Sequence, residues 1–282
     1  MNTKRSNPLL KIIIAAAVAV IITIVVLLIM GGRFTTLNNG AKFLGEWDNG
    51  QPVSGTIKYQ NGAEATIDFF NKTITYANGD TYVGEINGGL RNGHGVMTFA
   101  ATGDVYEGTF TNDQITGTGV FKYSNGDVYE GSFNNSQKHG QGKFTSSNGN
   151  SYEGYYENDV RSGKGVFKWA SGASYEGEFK NDLKNGKGVM TYENGDRYEG
   201  YFKDDMRHGE NGLYLWTNGE RYNGTFRNNL MDTRDVDENG EFILDERGEF
   251  VHGSTAIYTF TTGRTYTGFF KEGQAVGVSI NQ

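Results

Sequence analysis

A tyrosine that returns on a fixed schedule restricts this chain more than any other feature. Tyr-x-Gly occurs at Tyr82, Tyr106, Tyr129, Tyr152, Tyr175, Tyr198, Tyr222 and Tyr266, in steps of 24, 23, 23, 23, 23, 24 and 44 residues. Such a period marks a stack of small supersecondary units, each needing its neighbour to bury an apolar face. The last step is nearly two periods, which implies an altered unit inside it.

Counting each Tyr as position one, position three is Gly throughout. Position five is apolar: Ile86, Phe110, Phe133, Tyr156, Phe179, Phe202, Phe226 and Phe270. A polar loop follows, such as Asn181-Asp182-Leu183-Lys184-Asn185, then Gly-x-Gly, as at Gly186/Gly188. A second short run, such as Val166-Phe167-Lys168-Trp169, leads to a dipeptide such as Asn125-Gly126, Asn148-Gly149 or Asn194-Gly195. Five-residue alternation bounded by Gly and Asn predicts short half-buried strands. Asn-Gly predicts a type I′ hairpin turn, which needs two positive-φ residues. A 23-residue unit has no room for a helical crossover, so the units join as an antiparallel meander. Tyr, Gly and the position-five ring share one face, where the Gly leaves a gap for a neighbouring ring. Glu107, Glu130, Glu153, Glu176 and Glu199, at position two, point the other way, toward solvent.

These columns resemble the MORN repeat (membrane occupation and recognition nexus). Tyr175-Glu176-Gly177-Glu178-Phe179 through Gly186-Lys187-Gly188 to Asn194-Gly195-Asp196 is a near-ideal copy. The resemblance covers about residues 82–228 and 253–273. It implies an all-β, elongated meander of stacked hairpins, and a role in assembly, tethering or partner binding.

The amino end is different. Ile12 to Met30 is apolar except for Thr23. At about 1.5 Å per residue it spans roughly 28 Å, close to the hydrocarbon thickness of a bilayer. Lys4, Arg5 and Lys11 precede it, which keeps the amino terminus in the cytoplasm and places the repeats outside it. The apolar run is longer than that of a cleaved signal peptide, and Met30-Gly31-Gly32-Arg33-Phe34 is a poor cleavage site, so an uncleaved signal-anchor is expected. The expected organisation is a cytoplasmic tail (1–11), one transmembrane α-helix (12–30) and a polar linker (31–40). Degenerate MORN-like repeats (41–81) and MORN repeats (82–228) follow. An acidic insertion or degenerate repeat (229–252) and a last repeat with its cap (253–282) complete it.

Composition removes several function classes. With 42 Gly but only 2 Pro the chain is neither collagen-like nor a Pro/Gly linker. With no Cys there are no disulfides, thiolate metal sites or cysteine nucleophiles. Formal charge is −7. Setting aside Lys4, Arg5, Lys11 and Arg33 leaves 22 of the 26 basic residues against 33 acids, net −11 beyond the apolar segment. Nucleic-acid binding needs a basic footprint, and anionic lipid would repel this surface.

No nucleophile elbow, Walker loop or zinc-protease motif is present, and the Gly-x-Gly pairs precede strands rather than helices. No catalytic or cofactor-binding residue is assigned, and the protein is read as non-enzymatic. Between Tyr222 and Tyr266, Asp235, Asp237, Asn239, Glu241 and Glu246 fit the spacing of a calcium loop, with Gly240 at its sharp turn. The same residues also read as a solvated acidic loop. An aromatic row along the second strands, Phe99, Tyr123, Trp169, Tyr192 and Trp216, is the candidate partner-binding surface, and equally reads as repeat core. The reading is a membrane-anchored scaffold displaying repeats to a protein partner in the cell envelope. The alternative is a glycan or peptidoglycan binder, since aromatic rings stack on sugars. Open sheet edges also allow self-association.

Overall fold

The computed structural model describes residues 33–276. The transmembrane helix expected at Ile12–Met30, the tail before it and residues 277–282 lie outside the described residues. Among the described residues no helix is long and apolar enough to cross a membrane. They form two compact units, divided after Ser124, and both are antiparallel β-meanders.

The first unit runs from the strand Arg33–Thr36 to the strand Gln114–Lys122, each strand pairing with the next. Arg33–Thr36 lies inside the stretch expected to be a linker and pairs with Lys42–Asp48. Glu64–Asp68 and Thr73–Tyr76 form a shortened hairpin.

The second unit begins at Val128–Asn134 and ends at Gln274–Val276. Its regular hairpin is well represented by Ser174–Lys180 and Leu183–Thr191. Tyr175 and Phe179 are buried together, and the Tyr175 ring stands edge-on to Phe179 at 5.1 Å and to Phe202 of the next repeat at 5.0 Å. Its hydroxyl donates to the Glu178 carbonyl at 3.0 Å. The glycine gap is filled by the repeat's own tyrosine rather than a neighbour's ring. Gly177 and Gly188 face each other across the ladder. A Cβ on Gly177 would lie 2.6 Å from the Gly188 Cα, and one on Gly188 would strike the Tyr175 ring.

The two turns of each repeat are the reverse of the sequence expectation. The type I′ turn lies in the polar loop, at Asn181 (φ 51°) and Asp182 (φ 68°), side chains that tolerate the left-handed region. At Asn194-Gly195 only the glycine has positive φ (87°). Gly195 N–H donates to Tyr192 O at 2.9 Å and Tyr192 N–H to Asp196 O at 2.8 Å. That is a three-residue loop with a left-handed glycine. After the I′ turn, Asn185, Gly186 and Lys187 bulge opposite Glu178, between the pairs Phe179↔Lys184 and Gly177↔Gly188.

Polar bonds tie successive repeats at both ends of the hairpins. At the I′ end, Arg161 donates its backbone N–H to Asp182 Oδ1 at 2.9 Å and its Nε–H to the same oxygen at 2.9 Å. Asp182 N–H returns to the Arg161 carbonyl at 3.1 Å. The guanidinium lies 5.2 Å over Phe167 and 5.3 Å over Phe179. Lys138 with Asp159, and Lys184 with Asp205, repeat the arrangement. At the other end, Asp196 accepts the Thr217 N–H at 2.9 Å.

The 44-residue step is a single repeat with an insertion. Phe226 and Arg227 pair with Met231 and Leu230, while Arg221, Tyr222 and Asn223 pair with Thr259, Tyr258 and Ile257. Leu230–Met231 and Ala256–Thr259 are therefore two halves of one second strand, split at its bulge. Residues 232–255 stand where three residues, 185–187, stand in the regular repeat. Those 21 extra residues turn a 23-residue step into 44.

Inside the insertion, Asp235 N–H donates to Val251 O (2.8 Å), Val251 N–H to Ile243 O (2.9 Å) and Ile243 N–H to Asp235 O (3.0 Å), closing a triangle. Asp237 and Asp245 each head a tight turn, in the echoing sequences Asp237-Glu238-Asn239-Gly240-Glu241-Phe242 and Asp245-Glu246-Arg247-Gly248-Glu249-Phe250. At the root, Arg234 and Asp232 form a buried ion pair, and Phe242 and Phe250 cover the guanidinium at 3.8 and 4.8 Å.

Candidate partner-binding groove

Strand alternation sends the position-two residue of every repeat to the face opposite the tyrosines. Register then sets these residues in a row that runs across the strands. Glu153 pairs with Lys143 and Val166, Glu176 with Val166 and Val189, and Glu199 with Val189 and Leu213. The row reads Lys143, Glu153, Val166, Glu176, Val189, Glu199. A second row beside it includes Lys164 opposite Glu178 and Lys187 opposite Tyr201. The bulges bend the second strands, and this face holds a groove of about 1170 Å³ across four repeats.

The valines are half-buried steps between exposed carboxylates. Tyr201 is 45% exposed, with Lys187 Nζ 5.4 Å from its ring centre. Arg197 holds Glu199 at 2.9 Å. The side chains of Glu153 and Glu176 make no ion pair or hydrogen bond among the described residues. Lys143, Lys164 and Lys187 stand among the acids, so the groove alternates in sign. It offers carboxylates and ammoniums at regular intervals, with shallow apolar seats between them.

The aromatic row lies on the other face, with the tyrosines. Phe99, Tyr123, Trp169, Tyr192 and Trp216 are all half-buried. Four of them pack on rings of their own unit: Phe99 on Phe121 at 5.8 Å, Tyr123 on Phe121 at 4.6 Å, Trp169 on Phe167 at 4.5 Å, and Tyr192 on Tyr214 at 5.8 Å. Lys184 Nζ lies 5.7 Å over Trp169. The row is interrupted, because Ser146 holds the corresponding place in the repeat of Tyr129. Trp216, with Met231, Tyr258 and Phe260, lines a separate apolar pocket of about 430 Å³. At position ten, where the repeats of Tyr82, Tyr129, Tyr152, Tyr175 and Tyr198 carry Arg or Lys, Met231 supplies no cation.

The calcium-loop residues divide between two turns. Asp237 Oδ1 accepts the N–H of Asn239 at 2.9 Å and of Glu241 at 3.0 Å. Those bonds hold its carboxyl below the ordinary range. Glu246 belongs to the turn headed by Asp245, and Asp235 sits half-buried at the base. Among the described residues no three of His, Asp and Glu converge as metal ligands. Phe242, beside this turn, covers the Arg234 guanidinium.

Sequence reasoning missed the groove, although its signal was present. The Glu column was read as a solvated ladder, and the valines and lysines of the facing strands were not placed beside it. It also missed the position-ten cations and the position-eight acids that hold them, columns that recur with the tyrosines.

The MORN repeat matches residues 82–101, 106–128, 129–151, 152–174, 175–197 and 198–221. No curated protein matches the chain. Among solved structures, the chain is similar to the TCP10 domain of Danio rerio CPAP in complex with a peptide of Danio rerio STIL. Identity is 10%, over 89% of this chain and 99% of that one, with a TM-score of 0.42. It is also similar to the Drosophila melanogaster SAS-4 TCP domain in complex with a proline-rich motif of Ana2. There identity is 18%, over 59% and 86% of the two chains, with a TM-score of 0.32. Both are loose likenesses of chain path.

Proposed function

We propose that this protein is a non-enzymatic, membrane-tethered scaffold whose MORN repeats hold a protein partner in the groove of the glutamate face. Ile12–Met30 serves as the signal-anchor, with the amino terminus in the cytoplasm and the repeats outside it. The groove supports the binding part of this reading. It is long and shallow, and its charges are spread at repeat intervals. A reaction centre needs its acid, base or nucleophile converged on one point, whereas a partner can engage spread contacts. The length and apolarity of Ile12–Met30 support the anchoring part.

The test uses the full chain in native membranes with a photo-crosslinking residue at Val189, in the groove, or at Trp169, on the opposite face. One discrete protein adduct at Val189 and none at Trp169 is the expected result. The reverse pattern, or competition of the adduct by soluble wall polymer, overturns the groove as a protein site. Protease added to sealed cells or spheroplasts should digest the repeats. Full protection would refute the orientation.

A further inference from the structure

The groove prescribes a repeat distance for whatever lies in it. Glu130 and Glu153 both pair with Lys143, so the glutamate row extends one repeat further, as Glu130, Glu153, Glu176 and Glu199. These residues fall on every second strand. With strands about 4.8 Å apart, successive glutamates are about 9.6 Å apart along the groove.

Few peptide conformations present the same side at that interval. A polyproline II helix has three residues per turn and rises about 3.1 Å per residue, so residues i, i+3 and i+6 share a face at about 9.3 Å. Over the three intervals from Glu130 to Glu199 it drifts by only about 1 Å. A β-strand brings the same face forward every second residue, at about 6.7 Å, and its i+3 residue points away. An α-helix returns after seven residues at about 10.5 Å, and drifts by about 2.7 Å over the same row.

The backbone leads to the same conformation. Groups in the middle of a sheet are consumed by its ladders, so its face offers a ligand side chains only. A helix of the polyproline type has no internal hydrogen bonds and keeps its carbonyls free as acceptors. Lys164 and Lys187, one repeat apart beside the glutamate row, are donors for such carbonyls. Val166 and Val189, between the glutamates, are apolar seats for proline rings. The unpaired carboxylates of Glu153 and Glu176 call for cations.

Resting on the partner-binding reading above, we propose that the groove takes a polyproline II segment with Lys or Arg at every third position, set in register with Glu130, Glu153, Glu176 and Glu199. The partner is thus a protein with a basic, proline-rich stretch of about a dozen residues.

The test titrates the full chain in nanodiscs of uncharged lipid with three peptides of equal length. Each has four Arg in a Pro-rich background, spaced at two, three or four residues. The three-residue spacing should bind about tenfold tighter than either other, a gain shared over several individually weak ion pairs. Glu176→Gln should lower that affinity severalfold, and Glu153→Lys combined with Glu176→Lys should abolish it. Both sites are exposed, so an unchanged circular dichroism spectrum and melting temperature are the folding control. Equal affinity for all three spacings would show plain acid–base attraction and overturn the proposal, as would no binding of any. If the peptides fail while Val189 still crosslinks one protein, the polyproline proposal falls and the scaffold reading stands. If Val189 also captures nothing, both fall.

Discussion

The regular repeats and the insertion use the same pieces turned inside out. In the regular repeats the rings are the buried layer, and the cation is a lid. Arg161 lies over Phe167 and Phe179 and is held in place by Asp182 of the next repeat. In the insertion the cation is the buried group. Arg234 is 3% exposed and bonded to Asp232, while Phe242, 40% exposed, and Phe250 form its cover. Where a neighbouring repeat is available, rings are buried against it and charge stays at the rim. The insertion interrupts its strand at the bulge and has no neighbour of its own kind. It must supply an internal anchor, and a buried ion pair roofed by aromatic rings is that anchor.

This contrast predicts its own largest perturbation. Asp232→Ala leaves a buried guanidinium with only Glu272, at the rim, as a charged partner. Removing one member of a buried pair costs roughly 3–5 kcal/mol. The loss should be local. Hydrogen exchange should accelerate across Asp232–Gly253 and the strand Thr265–Lys271, while Ser151–Lys203 keeps its protection. Equal acceleration in the middle repeats would erase the distinction between the two regions.

The second perturbation attacks the ring layer. Phe179 is buried edge-on between Tyr152 and Tyr175, at 5.1 Å from each. Phe179→Ala should cost about 3 kcal/mol from lost burial and the cavity left behind. It should weaken the repeats on either side of itself and spare the insertion, as expected of a nearest-neighbour stack. Urea denaturation should show a lower midpoint, and exchange should locate the loss.

How much of this was legible in the sequence depends on whether a residue's environment is set locally. Tyr175, Gly177 and Phe179 carry a period-two pattern within five residues, so their shared face could be read directly. The turn at Asn181-Asp182 could not be separated from Asn194-Gly195 by composition, since both pairs accept positive φ. Which pair forms the two-residue turn is decided by the register of the flanking strands. The stretch 229–252 could be read either as an insertion or as a degenerate repeat, because 44 is close to two periods. Its arithmetic as 23 plus 21 becomes visible only once Met231 and Ala256 are seen on one strand. The groove needed cross-strand register too: Val166 lies ten residues from Glu176 in sequence yet pairs with it.

A smaller perturbation separates lid from anchor. Arg161 and Asp182 are a partly exposed pair, with side chains 25% and 47% accessible. Solvent screening keeps such a pair weak. Asp182→Ala removes that pair and the acceptor for the Arg161 backbone N–H, and should cost about 1 kcal/mol. The effect should be well below that of Asp232→Ala, because solvent can replace the lost partner at the rim. A cost equal to the Asp232 variant would mean that the rim cations are as indispensable as Arg234.

The smallest effect depends on pH and tests the ties at the other end of the hairpins. Burial pushes the Asp196 carboxyl up, but bonds from the Thr217 N–H, the Asn194 amide and the Tyr214 hydroxyl outweigh it and hold the group below its ordinary value. A carboxylate whose pKa falls on folding binds fewer protons in the native state than in the unfolded chain. Its contribution is complete above the unfolded value of about 3.9 and drains away as pH falls through the folded one. Asp196→Asn keeps an acceptor but not the charge. The variant should therefore be slightly less stable than wild type near neutral pH, with the gap closing below about pH 4. Urea midpoints measured at several pH values would show it. A gap that stayed constant into acid would mean that Asp196 acts by shape alone, and that the ionised carboxylate contributes nothing to joining one repeat to the next.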